Sequence, residues 1–311
     1  MKTIKNYLGL VTFAHTIFAF PFALIGFFLG CLDAGFIRGI APVSRFTPQE
    51  LYYAPTTMQE MIIRFVFVVL CMVFARSAAM AFNRYLDAAW DAKNPRTAIR
   101  EIPSGKISKK NALIFTIINA VAFVLSAWFI NPVCFYLSPI ALFVILFYSY
   151  TKRFTALCHL VLGLGLSLAP IGAYLAVTGV FSLIPVLFSI SVICWVSGFD
   201  IIYALQDEEF DREHQLNSIP VKFGKAGALR VSELLHIVSA LSLAVAGYLG
   251  NFGTAYWIGF VLYSAMLIYQ HYIVSPTDLR RVNRAFMTAN GFASLAFAIF
   301  VIADIFLSRA G

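Results

Sequence analysis

Nine stretches of about twenty nearly uncharged residues follow one another along the chain, at 8–30, 61–82, 111–130, 133–151, 157–178, 180–204, 231–249, 253–274 and 285–307. A bilayer core needs roughly 20 consecutive apolar residues per helix, so each stretch predicts one span. In hydrocarbon only helices or closed barrels satisfy every backbone group, and the apolar runs show no sustained strand alternation. The pattern predicts an all-α integral membrane protein, a bundle of nine transmembrane helices. Most connections are short. The exceptions are an outer-face segment, 33–60, with Pro42, Pro48 and Pro55, and two charged cytoplasmic loops, 83–110 and 205–230.

Composition supports the class: 60 % of the residues are hydrophobic and 12 % charged, against about 25 % charged in a soluble domain. The net charge of +8 is spread loop by loop rather than gathered on one surface, which argues against a nucleic-acid partner and reports topology instead. The N-terminus and the even-numbered loops hold most of the Lys and Arg, whereas the opposite face holds Arg38, Arg45 and Arg309. By the positive-inside rule the first face is cytoplasmic and the C-terminus lies outside, as in a bacterial inner membrane. Five cysteines without CxxC spacing support neither a disulfide framework nor a zinc site.

The two cytoplasmic loops resemble each other. Each opens on aspartates four apart, Asp87/Asp91 and Asp207/Asp211, passes through Arg and Lys, and contains a glycine, Gly105 or Gly224. This predicts a single domain over 1–311 made of two related four-helix halves, about 8–151 and 157–273, and a ninth helix, 285–307. Paired segments in corresponding places of two halves point to a site between them.

Residues i and i+4 on a helix have Cβ atoms about 5–6 Å apart, so Asn83, Asp87 and Asp91 form one stripe, with Arg76 seven residues earlier on it. The second segment, DIIYALQDEEFD at 200–211, sets Asp200, Tyr203, Asp207 and Asp211 on one helical face. Asp200 falls within an apolar run, where an ionisable group is costly and marks function by default. Adjacent carboxylates repel unless a cation lies between them. A solvated helix end pairing locally with Arg84, Lys93 or Arg212 accounts for one such cluster, less well for two on the same side of the membrane that start inside spans. One or two carboxylates completed by water and substrate phosphates is how Mg²⁺ is bound, so the expected ligand is a diphosphate held by Mg²⁺ between two acidic walls.

The joint occurrence of NxxxDxxxD after the second apolar run, YSYTKR at 148–153 and DxxxD after the sixth resembles the UbiA superfamily of intramembrane aromatic prenyltransferases. HTIFAFPFA at 15–23, ARSAAMAFNR at 75–84, NPRTAIREIPSGKIS at 94–108 and LGLGLSLAPIGAYLAVTG at 162–179 extend the similarity over nearly the whole chain, closest to the 4-hydroxybenzoate polyprenyltransferase branch, including variants of the futalosine menaquinone route. The 33–60 segment is longer than that branch's first outer loop. The resemblance implies a central cavity under a cytoplasmic cap, open laterally to lipid, and Mg²⁺-dependent transfer of a polyprenyl group from polyprenyl diphosphate to a phenolic aromatic acid. Asp87, Asp91, Asp207 and Asp211 would be the catalytic carboxylates. Asn83, Asp87 and Asp91 would hold one Mg²⁺, and Asp207 and Asp211 a second. Lys152 and Arg96 would contact diphosphate, and Tyr148 and Tyr203 would line the cavity. Arg76 needs an anionic partner, among acceptor carboxylate, diphosphate and Asp200, while His15 is a weaker cavity candidate and His159 is left as structural. The same fold with another acceptor (dihydroxynaphthoate, haem, a chlorophyll precursor) and a secondary transporter are the alternatives.

Overall fold

A computed structural model of the chain describes residues 2–11, 18–37 and 51–307. Helices account for most of it: α1 (Lys2–Leu10), α2 (Phe20–Asp33), α3 (Met58–Asp91), α4 (Lys109–Trp128), α5 (Pro132–Thr151), α6 (Cys158–Thr178), α7 (Leu183–Ala204), α8 (Glu208–Glu213), α9 (Ile219–Leu249), α10 (Thr254–Ile273) and α11 (Asn290–Leu307). Among the described residues there is no strand, only an isolated bridge between Ser275 and Asp278. His15, Arg38, Arg45, Arg309 and residues 38–50 of the outer segment lie outside the described residues.

Local chemistry fixes the helix starts. Thr57 accepts from the Glu60 N–H while the Glu60 carboxylate accepts from the Thr56 N–H, a reciprocal cap on α3. Ser108, Asn131 and Ser218 cap α4, α5 and α9 in the same side-chain-to-backbone way, the last two with a proline in the first turn.

Seven helices, counted among the described residues, are long and apolar enough to cross a membrane. The expected nine is not reached on that measure: α2 has 14 described residues, and α10 carries Tyr256, Tyr263, Tyr269, Tyr272, Gln270 and His271, which lower its apolarity. Both helices still pack in the same bundle, α2 on α6 and α10 on α11.

Three boundaries depart from the expected ones. Helix α3 does not end near 82 but runs on to Asp91, so the first acidic motif is helical rather than part of a loop. The second motif is not one continuous helix: α7 stops at Ala204 and a 3-10 turn, Leu205–Asp207, leads into α8. Helix α9 begins at Ile219, well before 231, and breaks its course at Gly224, where φ is 68°. That left-handed conformation is open to glycine without the cost a Cβ brings, and it lets the chain turn from the cap into the span.

Helix α7 is the spine of the bundle, packed between α6 and α9. On one side, Phe22, Phe188, Trp195, Tyr263 and Phe297 from α2, α7, α10 and α11 interlock with ring centroids 5.3–6.5 Å apart. The one polar atom of Trp195 is satisfied there, its Nε1–H donating to Asn290 Oδ1 at 2.8 Å. Small residues let backbones approach, as membrane interfaces require: a Cβ on Gly26 of α2 would stand 2.0 Å from the Pro170 carbonyl oxygen of α6. The other side, between α3, α4, α5, α6 and α7, is hollow.

Candidate active site

The hollow is a cavity of about 650 Å³. Its length follows α5 from Cys134 to Lys152, roughly 27 Å at 1.5 Å per residue. The far end and the walls are apolar, with Val68, Phe123, Ile130, Leu137, Val144, Leu162 and Leu175 among them. The near end is dense in charge: Asp87, Asp91, Asp200, Asp207 and Asp211 meet Arg76, Arg84, Arg96, Arg100, Lys152 and Arg153. Tyr148, Tyr203 and Asn83 line the same chamber. Every candidate residue read from the sequence, His15 excepted, therefore borders one cavity, although they come from α3, α5, α7, α8 and three connections.

Each motif carboxylate is held by a basic side chain from another element or turn. Arg153, just past α5, lies 3.6 Å from Asp87, and Asn83 Nδ2 donates to the other Asp87 oxygen at 3.0 Å. Arg100, from the first cap loop, reaches Asp91 at 2.5 Å. Arg96 grips Asp207 with two donors, Nε at 3.0 Å and Nη2 at 2.5 Å, and donates from Nη1 to the Tyr203 hydroxyl at 3.0 Å. Lys152 lies 2.8 Å from Asp211, whose side chain is 1 % exposed. Arg212 pairs with Glu208 rather than with a motif aspartate, and the aspartates draw on Arg96, Arg100, Lys152 and Arg153. Burial alone would lower the Lys152 pKa, but the charge and hydrogen bond of Asp211 outweigh it and hold the ammonium above the usual lysine range. Arg96 behaves in the same way beside Asp207.

Asp200 resolves differently from expectation. Its carboxylate meets His159 Nδ1 at 2.7 Å, while Arg76 borders the cavity further along α3. The His159 Nε2 accepts from the Ile219 N–H at 3.4 Å. The His159 ring is thereby held between the Ile219 backbone and the Asp200 carboxylate, to which Nδ1 presents a proton. Sequence reasoning left His159 aside, yet the signal was present: an ionisable side chain inside an apolar run is a functional candidate by default. Asn94 was also missed; its Nδ2 donates to Asp207 at 3.3 Å.

No group of three or more His, Cys, Asp or Glu side chains is preassembled for a metal among the described residues. The donor set nonetheless suits a hard cation that keeps open positions for water and phosphate. Asp91 Oδ2 is buried with no hydrogen-bond partner, one turn from Asp87 and two from Asn83, all hard oxygen donors on one stripe.

Residues 51–297 match the UbiA prenyltransferase family. The chain is 31 % identical over 229 residues to a 4-hydroxybenzoate octaprenyltransferase of Tolumonas auensis, covering 73 % of this chain and 79 % of that one. It is 32 % identical over 235 residues to the protein of that name from Francisella tularensis subsp. mediasiatica, covering 74 % and 81 %. Among solved structures it resembles the apo UbiA homologue of Aeropyrum pernix, with TM-score 0.73, 28 % identity and coverage of 94 % and 98 %. A UbiA homologue of Archaeoglobus fulgidus bound to DMAPP and Mg²⁺ shares the fold at TM-score 0.67 and 20 % identity, over 97 % and 99 % of the chains. An apolar chamber capped by paired acidic motifs thus sits in a chain that belongs to the UbiA prenyltransferase family and is a multi-pass membrane polyprenyltransferase.

Proposed function

We propose that the enzyme transfers a polyprenyl group from a polyprenyl diphosphate to the ring of 4-hydroxybenzoate or a similar phenolic acid, for quinone biosynthesis. The observation that carries this is the segregation of the cavity: four aspartates, each matched to a cation, at one end and an apolar chamber behind them. A diphosphate offers the anionic oxygens that Arg96, Arg100, Lys152 and Arg153 could take in exchange for the carboxylates. The carboxylates so released are the ligands for metal. Asn83, Asp87 and Asp91 would hold one Mg²⁺, and Asp207 and Asp211 a second. Mg²⁺ bound there supplies Lewis-acid neutralisation of the departing diphosphate.

The protein's own groups account for the rest. As the allylic C–O bond breaks, the diphosphate leaves with the electron pair and is received by the basic set. Tyr148 and Tyr203 present aromatic faces toward the developing allylic cation, which cation–π attraction stabilises. The ring carbon of the acceptor forms the new C–C bond and then loses its proton. Asp200, fixed by His159, is the chamber carboxylate that carries no Arg or Lys partner in the ion pairs among the described residues, which suits it to face the acceptor. Arg76, deeper on the α3 stripe, supplies a positive charge for the acceptor's carboxylate.

Bacterial relatives and the distribution of basic residues support a bacterial inner-membrane setting with the charged mouth and the N-terminus on the cytoplasmic side. Gly105 and Gly224, at φ 73° and 68°, occupy corresponding places in the two cap connections, which supports an origin of 8–151 and 157–273 as related halves.

The test is prenyl transfer by purified protein in detergent with Mg²⁺, a labelled polyprenyl diphosphate and 4-hydroxybenzoate, beside Asp87→Ala and Asp211→Ala. Mg²⁺-dependent product that disappears in both variants is expected. Product with dihydroxynaphthoate but not 4-hydroxybenzoate would reassign the acceptor, and transfer to neither would sink the proposal.

A further inference from the structure

Glycine inside a helix costs roughly 0.5–1 kcal/mol relative to alanine, so a helical glycine calls for a reason. For several here the reason is packing. A Cβ on Gly163 would stand 2.5 Å from the Ile193 carbonyl oxygen, and one on Gly198 would stand 2.4 Å from the His236 ring. Gly172 is different. It lies within α6, it borders the cavity, and a Cβ there would meet no atom of the described residues within 4 Å. Nothing in the packing forbids a side chain at this position; what the missing side chain provides is room in the chamber.

Its depth gives that room a meaning. Gly172 lies thirteen residues along α6 from His159, the partner of Asp200 at the charged end, about 20 Å at 1.5 Å per residue. Four main-chain carbons per isoprene unit, at about 1.5 Å per bond, advance an extended tail roughly 5 Å. Gly172 therefore stands beside the fourth unit of a tail that starts at the aspartates and follows the chamber. Leu168 and Leu175, one turn to either side on the same face, also line the cavity, so the wall is filled before and after this position.

We infer that Gly172 sets the reach of the prenyl tail, admitting donors of four or more isoprene units that any larger residue there would obstruct. The inference rests on the cavity being the prenyl diphosphate site.

The test compares kcat/KM of wild type, Gly172→Ala and Gly172→Leu with Mg²⁺ and 4-hydroxybenzoate on two donors, geranyl diphosphate and octaprenyl diphosphate. The octaprenyl-to-geranyl ratio is expected to fall at least tenfold in Gly172→Leu and by less in Gly172→Ala. Both residues are better helix formers than glycine and enter open space, so thermal unfolding in detergent should begin no lower than in wild type. An unchanged ratio in an active Gly172→Leu enzyme would overturn the inference, placing the tail elsewhere, as would equal losses on both donors. Wild-type protein inactive with both donors, on 4-hydroxybenzoate and on dihydroxynaphthoate alike, would instead sink the transferase reading on which it rests.

Discussion

Asp211 is the most deeply buried of the four motif aspartates, and separating the structural from the catalytic worth of its pairing with Lys152 is a direct test of the charge-matched site. Their charged atoms are 2.8 Å apart, with the Asp211 side chain 1 % exposed and that of Lys152 35 % exposed. At an effective dielectric constant near 20 the attraction at that distance is about 6 kcal/mol, most of it offset by the desolvation of both groups. Removing one partner of a fully buried pair costs about 3–5 kcal/mol, because the other charge is stranded. Here a third of Lys152 reaches water, and screening reduces the cost of Asp211→Asn or Lys152→Met to about 1–2 kcal/mol. The double variant strands no charge and should recover at least half of the single-variant loss, a coupling of about 1.5–3 kcal/mol. Thermal unfolding of the detergent-solubilised protein reads this as a drop of a few degrees in each single variant and a partial return in the double. Prenyl transfer should be lost in all three, since the released groups are the ones that take metal and diphosphate. A double variant that unfolds at or below the weaker single variant would refute the charge-matching argument.

Other substitutions probe other parts of the structure. Gly26→Ala drives a methyl into the Pro170 carbonyl of α6 and should destabilise by about 1–3 kcal/mol as an overpacked contact, visible as a lower unfolding temperature without a change in donor preference. His159→Gln leaves Asp200 without its fixed imidazole and should lower kcat by about 10- to 100-fold with KM for the diphosphate nearly unchanged, measured by steady-state transfer. Arg96→Lys keeps the charge but loses the two-donor grip on Asp207 and the bond to Tyr203; KM for the diphosphate should rise about tenfold, some 1.4 kcal/mol, read from the same assay.

The acidic stripe on α3 was legible because i, i+4 geometry is local: once Asn83, Asp87 and Asp91 are helical they share a face, whatever surrounds them. Hydropathy alone did not mark where α3 ends: its apolar run stops at 82, whereas the helix carries the stripe on to Asp91, where the cavity takes the charge. The stripe from Asp200 to Asp211 was extrapolated as one helix, but the 3-10 turn at Leu205–Asp207 re-aims the chain so that Asp207 faces Arg96 and Asp211 faces Lys152. Partners across the bundle were the least readable. Arg100, Arg153 and His159 look in sequence like loop charge, a snorkelling end and a lone histidine.

By itself the sequence determined the membrane class, the helical fold and the identity of the acidic residues, because hydropathy and helical periodicity are properties of neighbouring residues. Tertiary structure alone decided that these residues meet in one chamber, which base faces which acid, that His159 stands behind Asp200 and that Gly172 opens onto empty space. Periodicity says which face of a helix a side chain occupies; only packing says what that face meets.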